Sequence, residues 1–486
     1  MNSKLHRILS AALAGGLLAS LSLTAMADST VDLVQALVSK GVLTEEEGAL
    51  LMKGRDNEVE VQKKKEKKNW TSRVNIRGYV QTRNTTMLGG DEGVNLWSDR
   101  SVGDDKSLGD ADKNFLIRRA RVIIFGDYGD HLSYYIQPDF ASSVGGTSNS
   151  NANGANNFAQ LRDAYGDVNI DKEKVHRFRV GQSKVPYGFE NLQSSSNRLA
   201  LDRNDALNSA VRDERDLGVF YYYTPTNIQA LFEEINKSGL KHSGNYGMFG
   251  IGLYNGQGAN AREQNDNYHV VSRLTYPWKT QSGQIYEAGI QAYKGEYVST
   301  TGAYNRRLAN GSLASATPTL GTGTPLSGRN GIDDERVGVS FIMYPQPFGL
   351  QAEWNWGNTP GLDITKNVIE KKSLNGGYVQ AMYKIDNFQF LSTNGTLIPF
   401  IKWQYFDGYN KAETNSPENH VNDWELGLEW QLAPELELTA VYHRMNRTNL
   451  VTGNRSTASA ANNLAARTDY ENFKAEALRV QLQYNF

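Results

Sequence analysis

The sequence has no cysteine in 486 residues, which excludes a disulfide scaffold, a thiolate metal site and a cysteine nucleophile. Beyond residue 27 it has no uninterrupted apolar run near the ~20 residues that a membrane-spanning helix needs. Proline is scarce, at 12 residues, and the two signs of charge nearly cancel, leaving a net charge of -2. That balance argues against a strongly basic nucleic-acid binder, so no nucleic acid is expected as a partner. What is abundant is aromatic residues and glycine: 25 Tyr, 8 Trp and 46 Gly. The mix suits aromatic strands punctuated by glycine. A mean hydropathy of -0.54 still fits a membrane protein if strands do the spanning, because only every second residue must then be apolar.

Residues 1–27 combine a basic start (Lys4, Arg7), a short apolar stretch and Ala25-Met26-Ala27, the pattern of a cleaved secretory signal. Residues 28–69 read as a periplasmic extension. Val31, Val34 and Val38 form a helical stripe, Gly41 interrupts it, and Thr44 with Glu47 makes a capping box for a second short helix. The end of this segment, rich in Lys and Glu, reads as a solvated linker.

From residue 70 onward the period is two. Leu478, Val480, Leu482, Tyr484 and Phe486 alternate with Arg479, Gln481, Gln483 and Asn485. Trp424, Leu426, Leu428 and Trp430 alternate with Glu425, Gly427, Glu429 and Gln431. A soluble sheet with this pattern needs a second apolar layer, whereas a transmembrane barrel needs only lipid outside and water inside. Short links, such as 127–130, 170–174 and 433–434, alternate with eight long polar stretches: 85–113, 141–157, 190–214, 255–265, 298–334, 358–376, 408–420 and 446–472. Outer-membrane barrels have short periplasmic turns and long external loops. The expected fold is therefore all-β: a 16-stranded antiparallel transmembrane β-barrel over 70–486 with a short N-terminal helical extension. Residues 224–246 leave a choice. They form either an extra hairpin, giving eighteen strands, or a periplasmic excursion with a helix capped by Thr226 and ended by Gly239; the second reading is preferred.

Two stretches go beyond periodicity. RVGQSKVPYGFE at 179–190 and RDLGV at 215–219 resemble the phosphate-selective porin O and P family, with weaker likenesses in IRRAR at 117–121, DAY at 163–165 and the terminal Phe486. Ser183 and Val185 depart from the aromatic and the acid usual at those places. The resemblance implies a trimeric porin of the bacterial outer membrane, in contact with membrane lipid and lipopolysaccharide. It implies that the third external loop, 190–214, folds inward to narrow the pore, and that small anions such as phosphate pass.

A pore selects by the charge at its narrowest point. Alternation makes Arg73, Arg77, Arg177 and Arg179 candidate lumen residues. Arg119 and Arg121 share parity with Phe115, Ile117, Ile123 and Phe125, which leaves their orientation open. The loop adds Arg198, Arg203 and Arg212, with Glu190, Asp202, Asp205, Asp213 and Glu214 and no lysine, although the resemblance leads one to expect lysines in a phosphate-specific loop. Arginine suits phosphate because its planar fork donates two hydrogen bonds and stays charged. No cofactor or metal is expected, and the acidic first loop does not fit an EF-hand. The expected function is passive diffusion of small hydrophilic solutes with anion preference; the alternatives are a non-selective or carbohydrate-permeable pore and, more remotely, a barrel lipase. The seven His form no metal-binding pair, and His443 with Thr439 is the nearest approach to a hydrolase-like strand pair.

Overall fold

The computed structural model describes residues 38, 73–91, 94, 96, 113–141, 159–307, 310, 313–321, 331–390, 393–450 and 470–486. The signal segment, nearly all of the helical extension and its linker, most of the acidic first loop and the polar stretch 148–157 lie outside the described residues. The chain divides into Met1–Val74 and Asn75–Phe486; the second unit is the barrel.

Its strands are β1 Asn75–Gly90, β2 Lys113–Tyr128, β3 Leu132–Asp139, β4 Gln160–Asn169, β5 His176–Lys184 and β6 Arg215–Tyr223. They continue with β7 Phe249–Tyr254, β8 His269–Lys279, β9 Ile285–Tyr297, β10 Ile332–Met343 and β11 Phe348–Asp363. The last are β12 Val368–Tyr383, β13 Thr393–Tyr409, β14 Glu418–Ala433, β15 Leu436–Leu450 and β16 Tyr470–Asn485. Each pairs antiparallel with its predecessor, and β16 returns to β1 from Tyr79↔Asn485 to Gly90↔Ala475. Sixteen strands close the barrel and leave no free sheet edge.

Burial is inverted relative to a soluble protein. Leu426, Leu428, Leu478 and Leu482 are exposed on the outer wall, while Lys402, Arg479, Gln481 and Gln483 are buried inside. The lumen is not uniformly polar, however. Inward aromatics of β6, β7, β9 and β12 (Phe220, Tyr222, Tyr254, Tyr293, Tyr378) form a core with Val185, Tyr187 and Leu207 of the third loop.

Four local features depart from simple periodicity. In β2 the pairing slips between Gln81↔Arg119 and Thr82↔Ile117, so Arg118 is an extra residue. A bulge of this kind swaps faces: Phe115 (79%) and Ile117 (52%) are exposed, whereas Arg119, Arg121 and Ile123 are 5% exposed and point inward. Residues 224–248 contain a helix, α3 (Thr226–Lys237), not a hairpin. Its N-cap is Pro225 rather than Thr226: the Pro225 carbonyl accepts from the amides of Ile228 and Gln229, so Thr226 is already the first helical residue. Gly239, at φ 65, ends it as expected. Residues 358–376 are mostly strand, since β11 and β12 continue outward to a turn at 364–367. The long link after β12 holds a short strand, Ile385–Phe390, paired with the start of β13.

Candidate functional site: the inward-folded loop

The third loop leaves β5 through the stretch that carries the family likeness. At Gly181 (φ +127) a Cβ would lie 2.3 Å from the Ala164 carbonyl, so only glycine fits there. Gly188 (φ +81) turns the chain into a one-turn helix, α1 (Phe189–Leu192). Its amides point at β11: those of Phe189 and Glu190 donate to the two Glu353 carboxylate oxygens at 2.5 and 2.8 Å. A second turn, α2 (Asp205–Asn208), is capped by the Asn204 side chain, which accepts from the Leu207 amide. The loop rejoins the wall through Asp213 and Glu214, both in the left-handed region at φ 57 and 68.

Charge fastens this loop around the wall. Lys402 of β13 donates to Glu190 at 2.5 Å. Arg83 of β1 meets Asp202 at 2.9 Å, and Arg479 of β16 bonds the same carboxylate. Arg447 of β15 holds Asp205 at 2.6 Å. Glu214 receives Arg203 at 3.0 Å, Lys184 at 3.1 Å and Arg215 at 2.9 Å. Loop carbonyls are capped by cations as well: Lys184 donates to Asn191, Leu192 and Gln193, Arg336 to Ala206 and Ser209, and Lys411 to Ala210. Burial by itself would raise the Asp202 carboxyl, but Arg83, Arg479, Arg118 and Arg119 outweigh it and hold it well below the carboxylate range. Glu190 and Glu214 are likewise raised by burial and lowered further by their cations, ending below normal.

The arginines singled out in the sequence fall into distinct groups. Arg119 donates to Gln81 at 2.7 Å and lies 3.8 Å from Asp202. Arg121 bonds Asp139 at 2.7 Å and the Ser195 hydroxyl of the loop at 2.9 Å. Arg203 is tied to Glu214, and burial brings its guanidinium down to about 10. Arg212 is exposed on the external side, hydrogen-bonded to Tyr297. Arg198 differs from all of these. It is buried (7% exposed), and among the described residues none of its three guanidinium nitrogens has a hydrogen-bond partner. It acts electrostatically on Arg119, Lys184, Glu190, Arg203 and Glu214. Arg179 and Arg177 stand lower in the barrel. Arg179 grips Asp167 at 2.8 and 2.9 Å over the Tyr165 ring, and Arg177 donates to the Asn245 carbonyl at 2.7 Å. Arg77 is exposed, 5.3 Å from the Phe125 ring, and Arg73 lies two residues before β1.

Sequence reading missed the partners of the loop: Lys184, Lys402, Lys411, Arg83, Arg336, Arg447 and Arg479. Only alternation could have flagged the strand members among them, as it sets Arg479 on the polar face of the last strand. His443 lies inside the lumen, 3.3 Å from Asp423, and is part of this network.

A barrel narrowed by an inward third loop can be compared with known families. The family described as phosphate-selective porin O and P matches residues 92–486. The chain belongs to that family. It is accordingly a non-enzymatic porin, integral to the bacterial outer membrane. No curated protein matches it. Among solved structures it is similar to the anion-selective porin from Comamonas acidovorans, with 11% identity over 85% of this chain and 99% of that one and a TM-score of 0.46. It is also similar to OmpF of Salmonella typhi in complex with daunomycin (11%, 85% and 97%, 0.45) and to the trimer form of in-vitro folded OmpT of Vibrio cholerae (12%, 85% and 99%, 0.43).

The porin also carries a periplasmic segment that enters the lumen. After α3, Lys241 reaches Glu429 of β14 at 2.8 Å and Glu437 of β15 at 3.2 Å. These strands stand eight places around the barrel from the β6–β7 link, so the segment crosses the lumen. Its backbone meets the third loop: Gln193 donates to the Lys241 carbonyl and Asn197 to that of His242. Between this segment, the loop and β1–β5 lies a cavity of about 1030 Å³, whose lining includes Arg77, Arg177, Arg179, Lys184 and Arg215 with Asp163 and Asp167.

Proposed function

We propose that this porin conducts small hydrophilic anions in preference to cations, phosphate among them, by passive diffusion through a trimeric assembly, with no cofactor. The observation that carries the reading is Arg198. The loop carboxylates each meet a cation, and Asp202 alone faces four guanidiniums (Arg83, Arg479, Arg118 and Arg119), while the buried Arg198 guanidinium has no acceptor among the described residues. The fixed charge left over near the loop is therefore positive. Walls of low dielectric strengthen such a field, and a guanidinium with open donors suits a tetrahedral oxyanion. Lysines also reach the loop after all, from β5, β13 and the seventh external loop (Lys184, Lys402, Lys411). Each has partners of its own, so these lysines support an anion-tolerant wall more than an open phosphate ligand.

The test is the reversal potential of the reconstituted protein under a KCl gradient. Anion preference that falls in Arg198→Gln supports the reading, and a cation-selective wild type sinks it. Block of chloride current by millimolar phosphate supports phosphate recognition; chloride current indifferent to phosphate reduces the reading to a general anion pore.

A further inference from the structure

The β6–β7 link is longer than the wall requires. Tyr223 and Phe249 are register partners at the periplasmic ends of these strands, so a two-residue turn would close the hairpin. Residues 224–248 lie between them instead, and their contacts run across the periplasmic half of the lumen. At one end the Arg177 guanidinium of β5 donates to the Asn245 carbonyl at 2.7 Å, and the Tyr246 and Tyr222 rings meet edge to face at 6.1 Å. At the other, Lys241 is held by Glu429 and Glu437. The third loop lies against this strap, since Gln193 and Asn197 donate to the Lys241 and His242 carbonyls.

The strap divides this half of the lumen unequally. On the side of β9 and β10, Ile228, Phe232 and Ile235 of α3, with Leu240 after it, pack against Ile285, Ile342, Tyr344 and the loop's Phe189, all buried. Such an apolar seal gives a hydrated ion nothing to replace its water. On the side of β1–β5 stays the cavity of about 1030 Å³. Its lining starts at Leu192 and Ser194 of the third loop, passes Ser243 and Tyr246 of the strap, and reaches Asp127 and Ser133 beside the β2–β3 turn. It therefore runs from the loop to the periplasmic rim. We propose that residues 239–247 form a second constriction, in series with the third loop, and that solutes reach the periplasm through the gap between this strap and β1–β5. The loop sets the field that a solute meets first, and the strap then sets its route and its greatest size. This division holds whichever ion the loop prefers.

The test exploits the absence of cysteine and uses the full protein in planar bilayers. A bulky methanethiosulfonate coupled to Ser133→Cys, inside the gap, should lower single-channel conductance by roughly half or more. The same label on Ser282→Cys, in the exposed β8–β9 turn on the sealed side, should leave conductance unchanged. Replacing 224–248 by Asn-Gly, with Glu429→Gln and Glu437→Gln so that no acid loses its lysine, removes one of two resistances in series, and conductance should rise about two-fold. The reversal potential in molar KCl should match wild type, because the third loop keeps its ion pairs with β1, β13, β15 and β16. A labelled Ser133→Cys that conducts like the unlabelled protein would overturn the proposal by itself, whether or not the shortened chain folds. So would unchanged conductance in the shortened chain, or a gain accompanied by a shifted reversal potential, which would assign the gain to a displaced third loop.

Discussion

Arg198, Arg203 and Arg212 look alike in the sequence, three arginines of one loop, yet their surroundings differ. Arg203 is locked to Glu214, Arg212 is exposed on the external side, and Arg198 is buried with open donors. No periodicity runs through a loop, so nothing in the order of residues could have separated them. The difference has opposite consequences for stability. Arg198 has no hydrogen-bond partner among the described residues, so its removal orphans no donor or acceptor. Arg198→Gln should therefore fold as well as wild type, with resistance to urea within about 1 kcal/mol, while its reversal potential moves toward zero. Removing the carboxylate of Asp202 takes away the anion that the buried Arg83 and Arg479 share. Orphaning one side of a buried pair costs on the order of 3–5 kcal/mol. Asp202→Asn should lose the seam between the loop and β1/β16, seen as larger, noisier single-channel conductance and a lower melting temperature. Conductance equal to wild type would show that the apolar contacts of Leu199, Ala200 and Leu201 with β12, β13 and β15 hold that part of the loop unaided.

At the scale of elements, alternation marked strands such as β14 and β16, and the rhythm of short and long links set their number, because a wall with lipid on one side and polar lumen on the other imposes period two on each span. It failed where the backbone breaks that period. The extra residue Arg118 turned Arg119 and Arg121 inward although their parity matched Phe115 and Ile117, and a bulge leaves no mark in composition. The α3 segment shows the opposite limit: its helix was legible from Thr226 to Gly239, but the crossing of the lumen by Lys241 was not, since it depends on Glu429 and Glu437 from strands far along the chain. This crossing carries a pH dependence. His242 packs against Phe232 and Tyr344, 3.9 Å from Glu287. Burial lowers its pKa to about 4, with Glu287 opposing and the Arg273 charge adding to the drop. The unfolded value is near 6.5, so between these values the undocked segment binds more protons than the docked one. Docking is thus fully favoured above about pH 6.5 and weakens as pH falls toward about 4, by up to roughly 3 kcal/mol. Hydrogen exchange across 239–247 should accelerate between pH 7 and pH 4 after correction for intrinsic rates, and His242→Gln should remove the acceleration. Exchange in wild type that stays flat with pH would assign the docking to the Lys241 pins alone.

At the scale of the whole molecule, the near-zero net charge conceals a division of labour. Many acids of the loop and inner wall are spent on cations that fasten the loop, lipid-facing rows carry few charges, and lysines at the outer end, such as Lys371 and Lys372, pair with Asp333, Glu335, Asp363 and Glu370. Two sources of anion preference remain in principle: a buried field at the loop, or a diffuse field from charges at the mouth. Salt separates them. The Debye length shrinks from about 10 Å at 0.1 M to about 3 Å at 1 M, and exposed charges are screened far more than buried ones. If Arg198 sets selectivity, the ratio of chloride to potassium permeability should fall between 0.1 and 1 M KCl yet stay above one, because part of that field acts within the unscreened wall. Arg198→Gln should bring the ratio close to one at both concentrations. A ratio that collapses to one at 1 M in the wild type, and that Arg198→Gln leaves unaltered at 0.1 M, would move the selecting charge from the buried loop to the mouth of the pore.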